Sequence, residues 1–115
     1  MSISGFETSY DISKAGKGPV VKKQDHVTVH ATGTVKESGY RFWSTKDAGQ
    51  HPFSYTAGIG QVITGWDQGL LGAHLGEERK LEIPAAEGYG EKGFPAWSIP
   101  GGATLVFDLE VLKID

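Results

Sequence analysis

Apolar and polar residues alternate along several stretches of this 115-residue chain. In 27–32, Val27, Val29 and Ala31 fall on one side and Thr28, His30 and Thr32 on the other, the period-two pattern of a strand with one covered face. Residues 40–44 follow the turn signal Glu37-Ser38-Gly39 and read as a second strand. Residues 78–83 alternate and stop at Pro84, and a weaker strand covers 6–12. The strongest run, 104–114, sets Leu105, Phe107, Leu109 and Val111 against Asp108 and Glu110. One segment has another period: Val62/Ile63, Trp66 and Leu70 recur at helical spacing and predict a short helix with one apolar stripe. Gly65 and Gly69 within it cost roughly 1 kcal/mol each relative to alanine, so tertiary packing, anchored by the Trp66 indole, must hold it. Strands without βαβ alternation, plus one helix to cover them, predict an α+β domain built on an antiparallel sheet.

Length suits one domain, 1–115, with residues 1–20 as an N-terminal strand and loop. A net charge of −3 leaves no basic footprint for a phosphate backbone, so nucleic acid is not the expected partner. Lys14, Lys17, Lys22 and Lys23 are interrupted by Gly16, Gly18 and Pro19 and read as a solvated loop, and Glu77-Glu78-Arg79-Lys80 reads as a screened surface. With no cysteine, disulfides, zinc thiolates and thiol catalysis are excluded. The chain lacks asparagine, a basic-then-apolar leader and any run of eighteen apolar residues, so the expectation is a cytoplasmic protein with no membrane partner.

Familiar chemical signatures fail one by one. His26 and His30 stand four apart on a strand, roughly 13 Å from each other, too far to share a metal ion, and no metal site is expected. Gly58-Ile59-Gly60-Gln61-Val62-Ile63 starts like a dinucleotide fingerprint but has Ile63 where the last glycine belongs. Gly60 and Gly65 have P-loop spacing, with Trp66 in place of the phosphate-binding lysine. No Gly-x-Ser-x-Gly elbow occurs. An enzyme made of this chain works without nucleophile, metal or cofactor.

Large rings are the remaining resource. Phe42, Phe53, Tyr55, Trp66, Tyr89, Phe94, Trp97 and Phe107 exceed what a small sheet and one helix readily hide. Tyr89 sits between Gly88 and Gly90 and reads as a loop tyrosine whose polar tip overhangs an apolar cavity. The loop 94–102 is apolar as well, fit to cap a core or rim a pocket.

At this point the chain resembles the FKBP-type peptidyl-prolyl isomerases, the immunophilins that bind rapamycin and tacrolimus. The matching pieces are Val29-His30-Ala31-Thr32-Gly33, Val62-Ile63-Thr64-Gly65-Trp66-Asp67-Gln68-Gly69, Gly88-Tyr89-Gly90 and the run 103–110, with Leu75-Gly76 and the strand end 81–84 also in register. The resemblance implies a five- to six-stranded antiparallel sheet wrapped around one short helix, and a cofactor-free isomerase of X–Pro bonds. Its partners would be proline-containing peptides and proteins, and rapamycin or tacrolimus, bound by a monomer.

By the same resemblance, the substrate proline would sit over Trp66, between Phe42, Phe53, Val62, Ile63 and Phe107. The Ile63 N–H would bind a macrolide carbonyl and the Tyr89 hydroxyl would donate a second bond. Phe94, Trp97 and Ile99 would form the rim, and Trp66, Tyr89, Phe42 and Phe107 would carry catalysis. Two positions depart from the family: Ala31 stands where a tyrosine is usual and Trp43 where an aspartate is usual. Trp43 either fills the space of the missing tyrosine ring or turns outward as an extra substrate contact. The alternative function is a proline-loop binding module of weak activity on the same fold.

Overall fold

The computed structural model describes residues 1–115. Seven antiparallel strands form one sheet: β1 (Ser2–Ile3), β2 (Phe6–Lys14), β3 (His26–Val35), β4 (Arg41–Ser44), β5 (Phe53–Thr56), β6 (Glu78–Ile83) and β7 (Leu105–Ile114). Spatial order is β1-β2-β6-β7-β3-β4, and β5 pairs with the His26–Val29 half of β3 while β4 pairs with Thr32–Thr34. The count exceeds the expected five or six by the short β1 and by β5, a strand of only four residues. Helix α1 (Thr64–Gly69) lies on the concave face.

Alternation places the core. Val27, Val29, Ala31 and Val35 of β3, Leu105, Phe107, Leu109 and Val111 of β7, and Leu81 and Ile83 of β6 are buried on the concave face, with Trp66 and Leu70 over them. The helix is shorter than its apolar stripe. Ile63 is extended at its N-cap (φ −56°, ψ 149°) and Leu70 is its C-cap, so Val62 and Ile63 precede the helix. Its glycines explain their own cost. A Cβ on Gly65 would come within 2.5 Å of Ile83 Cγ2 and Thr8 Oγ1, and one on Gly69 within 3.0 Å of Leu81, so the helix backbone rests directly on β2 and β6.

The charge run 77–80 is half buried rather than surface. Phase decides this: Leu81 and Ile83 face inward, so Arg79 does too, at 5% exposure, and Glu77 is at 2%. Arg79 Nε donates to Glu77, its Nη1 donates to the carbonyls of Gly69 (2.9 Å) and Leu71 (3.2 Å), and its guanidinium lies 4.2 Å over the Tyr10 ring. The cation thus satisfies carbonyls left open at the C-terminal end of α1, where positive charge is favourable. Burial alone would raise the Glu77 carboxyl; the Arg79 guanidinium and the His74 N–H outweigh it and hold the group below its ordinary 4.5.

A folded-state value below the unfolded one means that Glu77 contributes stability above about pH 4.5 and that this is lost as pH falls through the folded value. Glu77→Gln, which strands the buried guanidinium, is expected to cost about 3–5 kcal/mol in urea denaturation at pH 7. Between pH 7 and pH 3 the variant should lose less stability than the parent chain. Equal losses would show that Glu77 is not the acid-sensitive partner.

Candidate active site

A β-bulge builds one wall of the concave face. Gly33 of β3 pairs with Trp43 and Thr34 with Arg41, leaving Phe42 as the extra residue between them. Phe42 and Trp43, neighbours in sequence, therefore both turn toward the interior, which strict alternation would forbid. Phe42 packs edge-on against Phe107 (5.7 Å between centroids) and beneath Trp97 (6.1 Å). Trp43 reaches Phe53 (5.9 Å), Trp66 (6.1 Å) and Trp97 (6.0 Å). An outward-turned Trp43 is thus not what the fold adopts. Gly33 makes room for the arrangement: a Cβ there would collide with the Phe42 ring and come within 2.8 Å of Phe107.

The Trp66 indole is the floor, 4% exposed and ringed by Phe107 (5.1 Å), Phe53 (5.4 Å) and Tyr55 (5.7 Å). Its Nε1–H and the Tyr55 hydroxyl are both buried with no hydrogen-bond partner of ordinary geometry. Burial pushes the Tyr55 hydroxyl up, partly countered by the neighbouring indole N–H. Both groups stay neutral.

Carboxylates fasten the loops that complete the site. Asp67, 3% exposed, accepts the N–H of Gly58 (2.8 Å) and of Gly60 (2.9 Å), tying the β5–α1 loop to the helix. Glu87 accepts from Glu7 N–H (2.7 Å), Thr8 N–H (2.8 Å) and the Thr8 hydroxyl (2.5 Å), which fixes the 3₁₀ turn Ala85–Glu87 and hence Tyr89 against β2. The rim is a closed hairpin: Phe94 N–H donates to Ile99 O (2.9 Å) and Ile99 N–H to Phe94 O (3.1 Å), with Pro95–Trp97 as a 3₁₀ turn.

Together these parts enclose an apolar cavity of about 320 Å³ lined by Trp43, Phe53, Gln61, Val62, Ile63, Trp66, Tyr89, Trp97 and Phe107. No carboxylate reaches it. Tyr89 is half-buried, and desolvation raises its hydroxyl above the ordinary 10.0, so it remains a neutral hydrogen-bond donor at physiological pH. The Ile63 N–H makes no hydrogen bond within the chain. Two other hollows, one of about 70 Å³ by His30, Lys46, Glu78 and Glu110 and one of about 270 Å³ by Ser9, Asp11, Lys80 and Glu82, lie on the polar outer face of the sheet. Neither is lined by a Phe, Tyr or Trp ring.

The chain matches the sequence profile of the FKBP-type peptidyl-prolyl cis-trans isomerases over residues 18–112. It belongs to that family. A relative named peptidyl-prolyl cis-trans isomerase FKBP12, from Vicia faba, is 47% identical over 104 residues, 89% of this chain and 93% of the relative. FK506-binding protein 1 of Debaryomyces hansenii is 46% identical across 94% of this chain and 95% of its own. Human peptidyl-prolyl cis-trans isomerase FKBP2 is 54% identical over 82% of this chain and 64% of its length.

Against the residues expected from the FKBP resemblance, the structure gathers Trp43, Phe53, Val62, Ile63, Trp66, Tyr89, Trp97 and Phe107 on the cavity. Phe42, Phe94 and Ile99 are not on its surface. Phe42 forms a second layer behind Phe107 and Trp97; Ile99 is 2% exposed because its side chain plugs the rim hairpin into the core; Phe94 stacks on the far side of Tyr89 at 5.3 Å. Gln61 lines the cavity and carries no periodic or compositional mark that singles it out. The clamps of Asp67 and Glu87 were equally silent in the sequence.

Gly33→Ala tests the packing of the wall. Displacing Phe42 and Phe107 is expected to cost about 1–3 kcal/mol, read as a lowered urea midpoint, and to shift the side-chain NMR signals of Trp43 and Trp97. An unchanged midpoint would mean that the bulge accommodates a methyl group freely.

Proposed function

We infer that this isomerase acts in the Trp66 cavity, with the proline ring over the indole, and the observation that carries the reading is that aromatic floor walled by Phe53, Trp43 and Phe107. An X–Pro bond turns over in tens to hundreds of seconds unaided, against a barrier of about 18–20 kcal/mol from amide resonance. At the twisted midpoint the proline nitrogen is pyramidal and the carbonyl dipole smaller, so water solvates that state less well than the planar one. An apolar cavity reverses the preference and binds the twisted form better. A million-fold acceleration needs about 8 kcal/mol, within reach of shape, desolvation and one or two hydrogen bonds. The Ile63 N–H and the Tyr89 hydroxyl are the donors we assign to those bonds.

Phe42 supports the wall from behind in this reading, and Phe94 and Ile99 hold the rim from which Trp97 meets residues flanking the proline. Rapamycin and tacrolimus are proposed ligands of the same cavity, on the strength of the family and of relatives named for FK506 binding. Proline-containing peptides and proteins are the proposed substrates. No helix is long and apolar enough to cross a membrane. A cytoplasmic monomer is the proposed state.

Isomerisation of a Leu-Pro test peptide with and without rapamycin tests the reading. Turnover is expected, inhibited by rapamycin, and Trp66→Ala should abolish it. The double change Trp43→Asp with Ala31→Tyr, which restores the usual family pair, should raise activity; an unchanged rate would show that these positions do not limit catalysis. A well-folded sample without turnover would favour the binding-module alternative. With Tyr89 the sole titratable group on the cavity and its hydroxyl held above 10.0, kcat/KM should be flat from pH 6 to pH 9. A bell-shaped profile would sink the purely apolar mechanism.

A further inference from the structure

Gln61 is the polar exception among the cavity residues other than Tyr89. Its carboxamide is oriented by chemistry. Oε1 accepts the backbone N–H of Thr56 at 2.8 Å, and since that N–H can only donate, the atom facing it is the oxygen. The Asp67 clamp on Gly58 and Gly60 holds the loop immediately before it. Nε2 makes no hydrogen bond to any group of the chain, and Gln61 is exposed, so its two N–H donors are open to solvent on a residue that borders an otherwise apolar cavity. That inventory is one-sided: the acceptor of Gln61 is engaged and only its donors are free.

We propose that the Gln61 side-chain amide is a specificity-determining donor that binds a backbone carbonyl flanking the substrate proline. This rests on the reading of the Trp66 cavity as the proline site. The complementarity follows from the substrate itself. Proline has no N–H, so the segment entering the cavity is rich in carbonyls and short of donors. A carbonyl carried to an apolar mouth loses water and needs a replacement partner. Gln61 supplies one from a side chain, at an angle independent of the Ile63 backbone.

The test exchanges the donor while keeping the acceptor. Gln61→Glu retains an oxygen for Thr56 and replaces the NH2 with a second oxygen, so the Tm should be unchanged; Gln61→Met removes the donor without adding charge. Affinity for a capped Ala-Leu-Pro-Phe peptide and its isomerisation rate at saturation are measured by NMR, together with four analogues. Each analogue has one carbonyl outside the prolyl amide replaced by a methylene. Both variants are expected to raise Kd roughly three- to tenfold with little change in the saturated rate. For one analogue the wild type binds as weakly as the variants, which identifies the carbonyl. Equal Kd for wild type and Gln61→Met on the parent peptide overturns the proposal, as does a penalty for Gln61→Glu that is the same on every analogue. If the parent peptide leaves the Trp66 indole N–H resonance unmoved in the wild type, the cavity reading falls and takes this one with it.

Discussion

Everything in the site depends on how closely one turn and a half of helix can approach the sheet. Gly65 and Gly69 turn bare backbone toward Ile83, Thr8 and Leu81, and that contact lowers Trp66 between Phe53 and Phe107. A larger residue at Gly65 would lift the helix and with it the cavity floor. The helix is too short to be stable alone. Arg79 holds its C-terminal carbonyls, Asp67 ties its first turn to the preceding loop, and the sheet supplies the rest. Fold stability and site geometry are therefore the same set of contacts here.

A second principle is the division of labour between charged and aromatic residues. Carboxylates Asp67, Glu77 and Glu87 bind backbone N–H groups or a guanidinium behind the cavity, and none points into it. Rings form the surface that a substrate meets. Such a separation suits a reaction whose midpoint is less polar than its ground state, because fixed charge inside would favour the planar amide. Trp43 in place of the usual aspartate extends that apolar surface, at the cost of a group that would orient the substrate carbonyl.

Much of the scaffold is legible in the residue pattern itself. The alternation in 27–32, 78–83 and 104–114 marks strands with one covered face, and those strands form the centre of the sheet. β5 carries too weak a signal to read locally, because Phe53-Ser54-Tyr55-Thr56 alternates over only four residues directly after a proline. Trp66 marks the helix, but the apolar stripe overstates its length, since Val62 and Ile63 are partly buried in the extended segment that enters it and not on a helical face. Composition marks Arg79 as a surface residue, whereas its phase with Leu81 and Ile83 points it inward. Of the site, the rings came from the family resemblance. The bulge that turns Phe42 and Trp43 the same way depends on pairing with Gly33, which no local pattern in 40–44 reveals.

All three indoles of the chain, Trp43, Trp66 and Trp97, line the one cavity, with ring centroids about 6 Å apart along the series 66–43–97. Chromophores this close share their excited states. The protein's ultraviolet emission therefore comes almost wholly from the place where a ligand would sit, and can report occupancy without a label. The same coupling contributes bands to the far-ultraviolet dichroism that have nothing to do with backbone. A spectrum taken naively would misstate the strand content of this sheet, and the error would change when the cavity fills.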